Sequence, residues 1–383
     1  MKLRIKYLVE KAIKMMLKLF SVFPVRSNRI LFQSFSGRQY SDSPRAISQW
    51  LTTNHPGKLE IIWAFNDPEK HEHLKEQGIT VVRYKSLRYL YYALTCRVYV
   101  DNVEPWSILH FRSGQTVINT WHGGGTFKQV GIYRQDTGEL EKQHVIDKMA
   151  ETDIFISSSA AFSQQTIRDS FRYEGEIMEC GLPRNDQLLA YDASQAEEIR
   201  RKLNLDERKV VLYAPTFRNA LDSKVYDLEP SGLLKALNQR FGGQWQLLVR
   251  SHYYLDKPIS LPESRDVSDY PEMNDLLQIA DVLITDYSSS IWEFALMKKP
   301  CFLYCPDVAE YNCERTFYSD PQNWPAILSE NNEQLQKAIR NFDVDAYQSK
   351  VEHYLDMVGI RESGHACQKL GQRIIQLCSE TTE

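Results

Sequence analysis

A histidine followed by three glycines is the first group of residues in this chain that could do chemistry. Residues 116–120 form an apolar run typical of a β-strand, and His122, Gly123, Gly124 and Gly125 follow it after a single tryptophan. An imidazole titrates near neutral pH and can take a proton from a reacting hydroxyl group. Glycines let the backbone approach a ligand closely, and their N–H groups can surround an anion. A lone histidine after a strand is more often structural, but the three glycines favour a general base beside a bound anion.

A second group of polar residues follows strand-like runs in the later part of the chain. Its members are Thr216 and Arg218, then Arg250 and His252, then Asp286, Ser288 and Ser289. The serines precede an apparent helix over 291–297, and the amino-terminal end of a helix attracts negative charge. Hydroxyl groups beside several cationic side chains therefore predict a phosphate site. Alternatively one serine only caps the helix, which explains one residue but not the whole set.

Other candidate ligands are fewer and less specific. Glu293, one turn into the same helix, could reach a ribose or polyol hydroxyl group, or could be an ordinary solvated residue. His71 and His73 lie in a charged stretch with no partnering carboxylate or cysteine cluster, and the seven cysteines include no Cys-x-x-Cys pair. The sequence therefore predicts no metal ion and no other cofactor. The odd cysteine count favours a reducing, cytoplasmic compartment.

Short apolar runs alternate with helical stretches along most of the chain, which predicts an α/β fold with parallel sheets. The predicted strands of the first half are residues 29–35, 60–65, 80–84, 98–102, 116–120, 154–158 and 177–180. Those of the second half are residues 209–214, 245–251, 265–267, 282–285 and 301–304. Turn-forming residues between 181 and 192 and a polar helix around 196–203 separate the two halves. Ligands of such sheets bind at the carboxyl ends of the strands, where the polar groups described above lie.

The first 20 residues differ from the rest of the chain in charge. They carry six basic residues and one acidic residue, a sum of +5, whereas the whole chain sums to −4. Their apolar residues recur at three- and four-residue steps and are Ile5, Leu8, Val9, Ala12, Met16, Leu19 and Phe20. This pattern predicts an amphipathic helix that ends before Pro24. Such a helix either lies on an anionic membrane surface or packs on the body of the protein.

Composition excludes several classes of protein. The chain has 383 residues, of which 43% are hydrophobic and 25% charged, as in ordinary globular proteins of two or three domains. The net charge of −4 argues against a general nucleic-acid binder. A run of roughly 20 uncharged apolar residues, which a membrane span needs, is missing from the sequence.

Taken together, the motifs resemble the CDP-glycerol glycerophosphotransferase family of teichoic acid and capsule enzymes. The resemblance covers about residues 27–375 and is carried by residues 280–289, 294–295 and 299–300, by 181–186 and by 213–218. It implies a GT-B fold, in which two Rossmann-like domains enclose the active site in the cleft between them. The implied organisation is a membrane-associating segment (1–24), an acceptor domain (25–187), a donor domain (188–345) and C-terminal helices that pack across both (346–383).

The resemblance also implies roles for individual residues. His122 and His252 match the family's two catalytic histidines. The implied donor-binding residues are Arg184, Thr216, Arg218, Arg250, Asp286, Ser288, Ser289 and Glu293. The implied acceptor-side residues are Gly123, Gly124, Gly125 and Lys128. Many members have His-Gly-Thr-Pro-Leu-Lys where this chain has His-Gly-Gly-Gly-Thr-Phe-Lys. Because the resemblance places this loop on the acceptor side, the difference bears on the identity of the acceptor more than on that of the donor.

The expected reaction is transfer of glycerol phosphate from CDP-glycerol to a hydroxyl group of a polyprenyl-linked glycan or a growing polymer, with release of CMP. The enzyme is expected on the cytoplasmic face of the cell membrane, as a peripheral protein on an anionic surface. Three alternatives stay open from the sequence. They are ribitol phosphate transfer from CDP-ribitol, a sugar-nucleotide glycosyltransferase of the same fold, and a non-catalytic scaffold.

Overall fold

Seven parallel strands form the first sheet of the protein. The structure is a computed structural model, and it describes residues 2–135, 137–190, 192–218, 226–251, 259–314 and 316–380. The strands are β1 (Arg26–Phe32), β2 (Glu60–Phe65), β3 (Thr80–Arg83), β4 (Cys96–Asp101), β5 (Thr116–Asn119), β6 (Ile154–Ser157) and β7 (Glu176–Glu179). Their order across the sheet is β3-β2-β1-β4-β5-β6-β7. This order, which reverses beside β1, is that of doubly wound α/β folds.

Six further parallel strands form the second sheet. They are β8 (Lys209–Tyr213), β9 (Trp245–Val249), β10 (Ser264–Asp266), β11 (Val282–Thr285), β12 (Cys301–Tyr304) and β13 (Ile327–Ser329). Their order is β10-β9-β8-β11-β12-β13, which repeats the arrangement of the first sheet. The prediction of an α/β fold with parallel sheets is therefore confirmed.

The twelve predicted strands are all present, with ends that differ by three residues at most. The largest difference is in β1, which was predicted at 29–35 but ends at Phe32. The chain turns there because Phe35 and Ser36 have φ angles of 46° and 56°, which no strand tolerates. Strand β13 was not predicted, because three residues are too few to show the hydrophobic pattern of a strand.

Thirteen α-helices are found among the described residues. They are α1 (Lys2–Leu17), α2 (Asp42–Asn54), α3 (Leu87–Thr95), α4 (Glu139–Met149), α5 (Asp186–Leu189), α6 (Ala193–Lys202), α7 (Pro230–Phe241), α8 (Met273–Ile279), α9 (Ser290–Leu296), α10 (Val308–Glu314), α11 (Asn332–Arg340), α12 (Val344–Met357) and α13 (Ala366–Ser379). A π-helical segment, Phe162–Ser170, follows β6. The helices predicted around 196–203 and over 291–297 correspond to α6 and α9.

The inner strands of each sheet are buried on both faces, which explains why they are almost continuously apolar. The edge strands β7 and β10 are more exposed. In β1, Ile30 packs with α13, whereas the next residue, Leu31, faces the opposite side and packs with Tyr89 of α3. A larger core surrounds β8 and β11 and includes residues of α7, α9 and α12. Consecutive residues of one strand thus pack into two hydrophobic cores on opposite faces of the sheet.

The chain passes between the sheets twice. It leaves β7 through Gly181, whose φ of 87° favours glycine. A side chain would not fit at this position, because a Cβ atom would lie 2.6 Å from a carboxylate oxygen of Glu362. After α12 the chain returns to the first sheet, where α13 packs on α2 with Gly371 against the ring of Trp50. Close contacts between residues that are distant in sequence therefore hold both of these segments.

Candidate active site

The backbone after β5 turns sharply and presents His122. Trp121 has a φ of 49°, which is costly for a residue other than glycine. Its N–H donates to Oδ1 of Asn119 at 2.8 Å, which holds the turn in place. The indole ring packs between the imidazole of His122 and the ring of Phe171, with centroid distances of 4.2 and 4.7 Å. The strained backbone is thus fixed by contacts on both sides.

His122 is partly buried and has one of its ring nitrogens engaged. Nδ1 lies 2.9 Å from the carbonyl oxygen of Asn102, which follows β4. Because a carbonyl oxygen only accepts, Nδ1 carries the hydrogen and Nε2 of the neutral ring is left as a proton acceptor. Burial lowers the pKa of His122 below its usual value, although the hydrogen bond to Asn102 and the charge of Asp42 oppose the shift. The imidazole is therefore neutral at pH 7, as a general base requires.

The three glycines allow the loop after His122 to pack closely against the second half of the molecule. A Cβ atom at Gly123 would lie 3.4 Å from the Cβ atom of Ser289. At Gly124 it would lie 2.2 Å from the ring of Trp292 in α9, and at Gly125 it would lie 2.1 Å from the ring of Phe127. The predicted anion-surrounding role is thus accompanied by a packing role, because two of the three positions have no room for a side chain.

Lys128 continues this loop into the second half. It forms an antiparallel bridge with Phe317. The neighbouring Gln129 donates its N–H to the carbonyl oxygen of Thr316 at 3.0 Å, and Tyr318 donates to Phe127 at 2.9 Å. These backbone bonds connect the predicted acceptor loop to the segment after α10.

Thr216, Arg218 and Asp286 form one hydrogen-bonded network at the ends of β8 and β11. Asp286 accepts from the N–H of Thr216 at 3.0 Å and from Nη2 of Arg218 at 2.9 Å. Nε of Arg218 donates to Asp307 at 2.6 Å, and the guanidinium lies 4.6 Å from the centroid of the Tyr311 ring. Two carboxylates thus neutralise Arg218, which the sequence predicts as a donor-binding residue.

Arg184 and Glu293 are paired in a similar way. Nη2 of Arg184 donates to Glu293 at 2.7 Å, and Nη1 donates to Asp42 at 2.6 Å. Glu272 accepts from the backbone N–H of Asp42 at 2.9 Å and from Arg45 at 3.3 Å. All five charged side chains are at least partly buried. Glu293 is therefore bonded within the protein, whereas the sequence left a donor hydroxyl group and solvent as its possible partners.

The two predicted phosphate-binding serines differ in their contacts. Oγ of Ser288 accepts from the N–H of Ser290 at 3.2 Å and bonds the hydroxyl group of Ser290 at 2.9 Å. The hydroxyl group of Ser288 is thus engaged in the turn that leads into α9, whose N-cap residue is Ser289. Within the described part of the chain, the hydroxyl group of Ser289 has no such partner, and it faces Gly123 across the space between the halves.

Arg250 follows β9 and retains hydrogen-bonding capacity. Its N–H donates to the carbonyl oxygen of Tyr213 at 2.9 Å. Its Nη1 is inaccessible to solvent and lacks a hydrogen-bond partner among the described residues. Burial lowers the pKa of this arginine, although nearby acidic groups oppose the shift. His252, the second predicted catalytic residue, lies outside the described residues.

Several residues at this site were not found from the sequence. Asn102 contacts His122 and Asp42 contacts Arg184, whereas Glu272 accepts from the backbone N–H of Asp42. Asp42 has a φ of 65°. Asp101-Asn102 directly after a strand was an available signal, since polar residues at strand ends line such sites. Asp42 and Glu272 had no local signal, because their partners are more than 140 residues away. Across the residues that the structure describes, no three His, Cys, Asp or Glu side chains are grouped to hold a metal ion.

Comparison with known proteins shows the family to which this chain belongs. A family profile described as CDP-glycerol:poly(glycerophosphate) glycerophosphotransferase matches residues 15–376, so the chain belongs to this family. It is 29% identical to a teichoic acid glycerol-phosphate transferase of Staphylococcus aureus, over 97% of this chain and 99% of the relative. It is 28% identical to a teichoic acid poly(glycerol phosphate) polymerase of Bacillus spizizenii, over 98% and 99%.

A solved structure agrees with these relatives. The wall teichoic acid polymerase TagF, soaked with CDPG, has a TM-score of 0.84 to this chain at 26% identity, covering 100% of this chain and 98% of that one. The resemblance found from the sequence is confirmed. The protein is an enzyme, a transferase that moves glycerol phosphate from CDP-glycerol.

Proposed function

We propose that the space between the two sheets is a GT-B-type active site in which His122 removes a proton from the acceptor hydroxyl group. The observation that carries this proposal is the bond from Nδ1 of His122 to Asn102, which leaves Nε2 as the proton acceptor. One residue further on, Gly123 faces Ser289, a predicted donor residue. The base and the donor site are thereby adjacent.

In the proposed reaction the acceptor oxygen attacks the β-phosphorus of CDP-glycerol. A new P–O bond forms to the acceptor, the bond from the β-phosphorus to the bridging oxygen breaks, and that oxygen leaves with CMP. His122 takes the acceptor's proton. Cationic and hydroxyl groups stabilise the charge that develops on the phosphates.

We assign direct donor contacts to Arg250 and Ser289. The support for this choice is that Nη1 of Arg250 and the hydroxyl group of Ser289 are without hydrogen-bond partners in the described chain. Thr216, Arg218 and Asp286 position the ends of β8 and β11, because their polar atoms bond one another. Arg184 and Glu293 hold the two halves together. His252 stays a proposed phosphate-stabilising residue on the family motif alone. The proposed reaction needs no metal ion.

The acceptor is proposed to be a polyprenyl-linked glycan or polymer, reached from the cytoplasmic face of the cell membrane. Support comes from α1, whose residues Val9 and Met16 are 51% and 65% exposed. Leu17, on the other side of the helix, packs with Leu94 and Ile108 of the protein body. The helix thus contacts the body on one side and presents apolar side chains on the opposite side, which suits an interfacial helix. No described helix is both long and apolar enough to span a bilayer.

The experiment that tests the function compares two donors. The enzyme is incubated separately with CDP-glycerol and with CDP-ribitol, with membranes as the source of acceptor, and released CMP is measured. We expect CMP from CDP-glycerol, because the family description and both relatives name glycerol phosphate. Release of CMP from CDP-ribitol but not from CDP-glycerol would show that the donor is CDP-ribitol, and the proposed phosphate-transfer chemistry would still apply.

A further inference from the structure

Asp101, the last residue of β4, is a buried acid that the proposed reaction does not use. Its side chain has no exposure to solvent. Burying a carboxyl group is costly unless the group is paired or hydrogen-bonded. In the part of the chain that the structure describes, its side chain is bonded by N–H groups only, and no cationic side chain forms an ion pair with it. The role of an acid at this position therefore lies in those hydrogen bonds.

The two carboxyl oxygens of Asp101 have different partners. Oδ1 accepts from the backbone N–H groups of Asn102 at 2.8 Å and of Val103 at 3.2 Å. Oδ2 accepts from the side-chain amide of Gln33, which follows β1. Burial raises the pKa of Asp101, and these hydrogen bonds oppose the shift. Oδ1 accepts in either protonation state, because a protonated carboxyl group keeps acceptor capacity.

The bond from Val103 connects Asp101 to the proposed base. The N–H of Val103 and the carbonyl group of Asn102 belong to one planar peptide group. This N–H donates to Asp101, and the carbonyl oxygen of the same group lies 2.9 Å from Nδ1 of His122. Because a trans peptide group is planar, with its N–H and carbonyl pointing in opposite directions, holding the N–H fixes where the carbonyl oxygen points. Asp101 thereby orients the hydrogen-bond acceptor of His122.

Two further bonds keep this peptide group in place. Oδ1 of Asn102 accepts from the N–H of Phe35 at 2.8 Å. The carbonyl oxygen of Val103 accepts from Nδ2 of Asn119 at 3.2 Å, and Oδ1 of Asn119 accepts from the N–H of Trp121. Asn119 thus bonds both the segment that carries the acceptor and the turn that presents the base. The base and its partner are therefore held in one hydrogen-bonded arrangement.

Gln33 completes the network on the other side of Asp101. Its Oε1 accepts from the hydroxyl group of Tyr89 at 3.2 Å, and that hydroxyl group lies 3.1 Å from the hydroxyl group of Tyr99. An amide can present either its oxygen or its NH₂ group to a neighbour, and a hydroxyl group can donate or accept. This side of the network can therefore adapt to an asparagine at position 101. The two backbone N–H groups on the other side can only donate.

We propose that Asp101 is a positioning residue for His122: through the peptide group of Asn102 and Val103 it holds the imidazole in the form that has hydrogen on Nδ1 and leaves Nε2 to take the acceptor's proton. This inference rests on the proposed function, because it takes His122 as the base. A neutral imidazole has its hydrogen on either nitrogen, and the bond that one nitrogen makes decides which form is present. Asp101 contacts neither substrate, so its loss should affect turnover and not donor affinity.

The test compares Asp101→Ala with Asp101→Asn. Alanine removes the acceptor of both N–H groups, whereas asparagine retains it as Oδ1. In Asp101→Ala we expect neutral His122 to place more of its hydrogen on Nε2, measured by nitrogen-15 NMR of histidine-labelled enzyme, with the signals identified by their loss in His122→Ala. The kcat for CMP release should fall at least roughly tenfold. Affinity for CDP-glycerol, measured by calorimetry, should be unchanged. Asp101→Asn should restore the native tautomer and most of kcat.

Asp153→Ala is the matched control. The carboxyl group of Asp153 also accepts from a backbone N–H, that of Val117 at 2.7 Å, but near the amino-terminal end of β5. This variant loses the same kind of bond, so it should lose stability and keep the native tautomer and kcat. A native tautomer in folded Asp101→Ala would overturn the proposal, as would an equal fall of kcat in Asp153→Ala or a failure of Asp101→Asn to restore the tautomer. If Asp101→Ala does not fold, Asp101→Leu fills the space without an acceptor and carries the same expectation.

The outcome is distinguishable from failure of the proposed function. The tautomer of His122 is measured without donor and without turnover. CMP release by the native enzyme together with a native tautomer in Asp101→Ala would overturn the role of Asp101 alone. A changed tautomer in that variant, with no CMP released from CDP-glycerol by the native enzyme, would overturn the proposed function and confirm that Asp101 orients His122.

Discussion

Arg184 and Glu293 form a buried ion pair that joins the turn after the first sheet to helix α9 of the second half. Nη2 of Arg184 lies 2.7 Å from Oε1 of Glu293, and the two side chains are 8% and 3% exposed. The guanidinium also bonds Asp42 of α2. One side chain therefore connects three elements that surround the proposed active site.

We predict that Glu293→Gln costs about 3 kcal/mol of unfolding free energy, because it leaves part of the charge of Arg184 buried without its partner. The measurement is urea-induced unfolding followed by circular dichroism. The control is Glu198→Gln, which removes an exposed partner of Lys202 and should have no measurable effect. If both variants are equally stable, the pair does not hold the halves together.

The proposed base gives a prediction about the pH dependence of activity. His122→Ala should lower CMP release roughly a hundredfold or more, whereas His353→Ala, on the exposed side of α12, should be neutral. The pKa of His122 is lowered by burial, so the ring stays neutral to below pH 6.5. The acid limb of kcat/KM should therefore have its midpoint below 6.5. A midpoint above this value would assign the limb to another group.

Donor affinity is predicted to depend on Arg250 and Ser289 more than on Ser288. Arg250→Gln and Ser289→Ala should each weaken binding of CDP-glycerol, measured by calorimetry, with the arginine change at least tenfold. Ser288→Ala should mainly lower stability, by about 1 kcal/mol, because its hydroxyl group bonds both the N–H and the hydroxyl group of Ser290 at the start of α9. Arg208→Gln, at an exposed site next to β8, is the matched control. The reverse order of the two serines would contradict our assignment.

The sequence predicted the fold more completely than the contacts of the site. Buried parallel strands are apolar on both faces, so the inner strands could be located from their apolar runs alone, and twelve of the thirteen strands were predicted in all. The sequence also indicated which residues belong to the candidate site, but it did not indicate which side chains they contact. Arg184 meets Asp42 across 142 residues, and nothing local indicates which carboxylate an arginine will reach. Likewise the need for glycine at 124 comes from Trp292, which is distant in sequence.

Glu362 is expected to make the stability of the protein depend on pH. Its side chain is partly buried between the halves, and the loss of solvent raises its pKa to about 7. It accepts hydrogen bonds from the N–H of Leu182, Nδ2 of Asn185 and Nε1 of Trp292. Because the folded state binds this proton more tightly than the unfolded state, its contribution to stability is present below about pH 4.5 and is lost as the pH rises toward 7.

The expected size of this effect is about 3 kcal/mol between pH 4.5 and 8, from the difference between the folded and unfolded pKa values. Glu362→Gln cannot ionise and should remove that part of the pH dependence, measured by chemical unfolding at several pH values. Glu333→Gln, an exposed change in α11, should leave the profile as it is. Parallel profiles for the native protein and Glu362→Gln would show that another group is responsible.

The last prediction concerns the exposed side of α1. Deleting the helix would uncover Leu94 and Ile108, which pack against Leu17, so substitution is the sharper experiment. Val9→Gln with Met16→Gln should release the protein from anionic vesicles at an unchanged melting temperature, because both side chains are mainly exposed. Leu87→Gln with Met357→Gln alters apolar residues elsewhere that are 86% and 63% exposed, and this variant should bind vesicles normally. High salt should weaken binding of the native protein, since each lysine near an anionic surface contributes about 1 kcal/mol. Vesicle binding that is equal in the two double variants would mean that α1 is not the membrane contact.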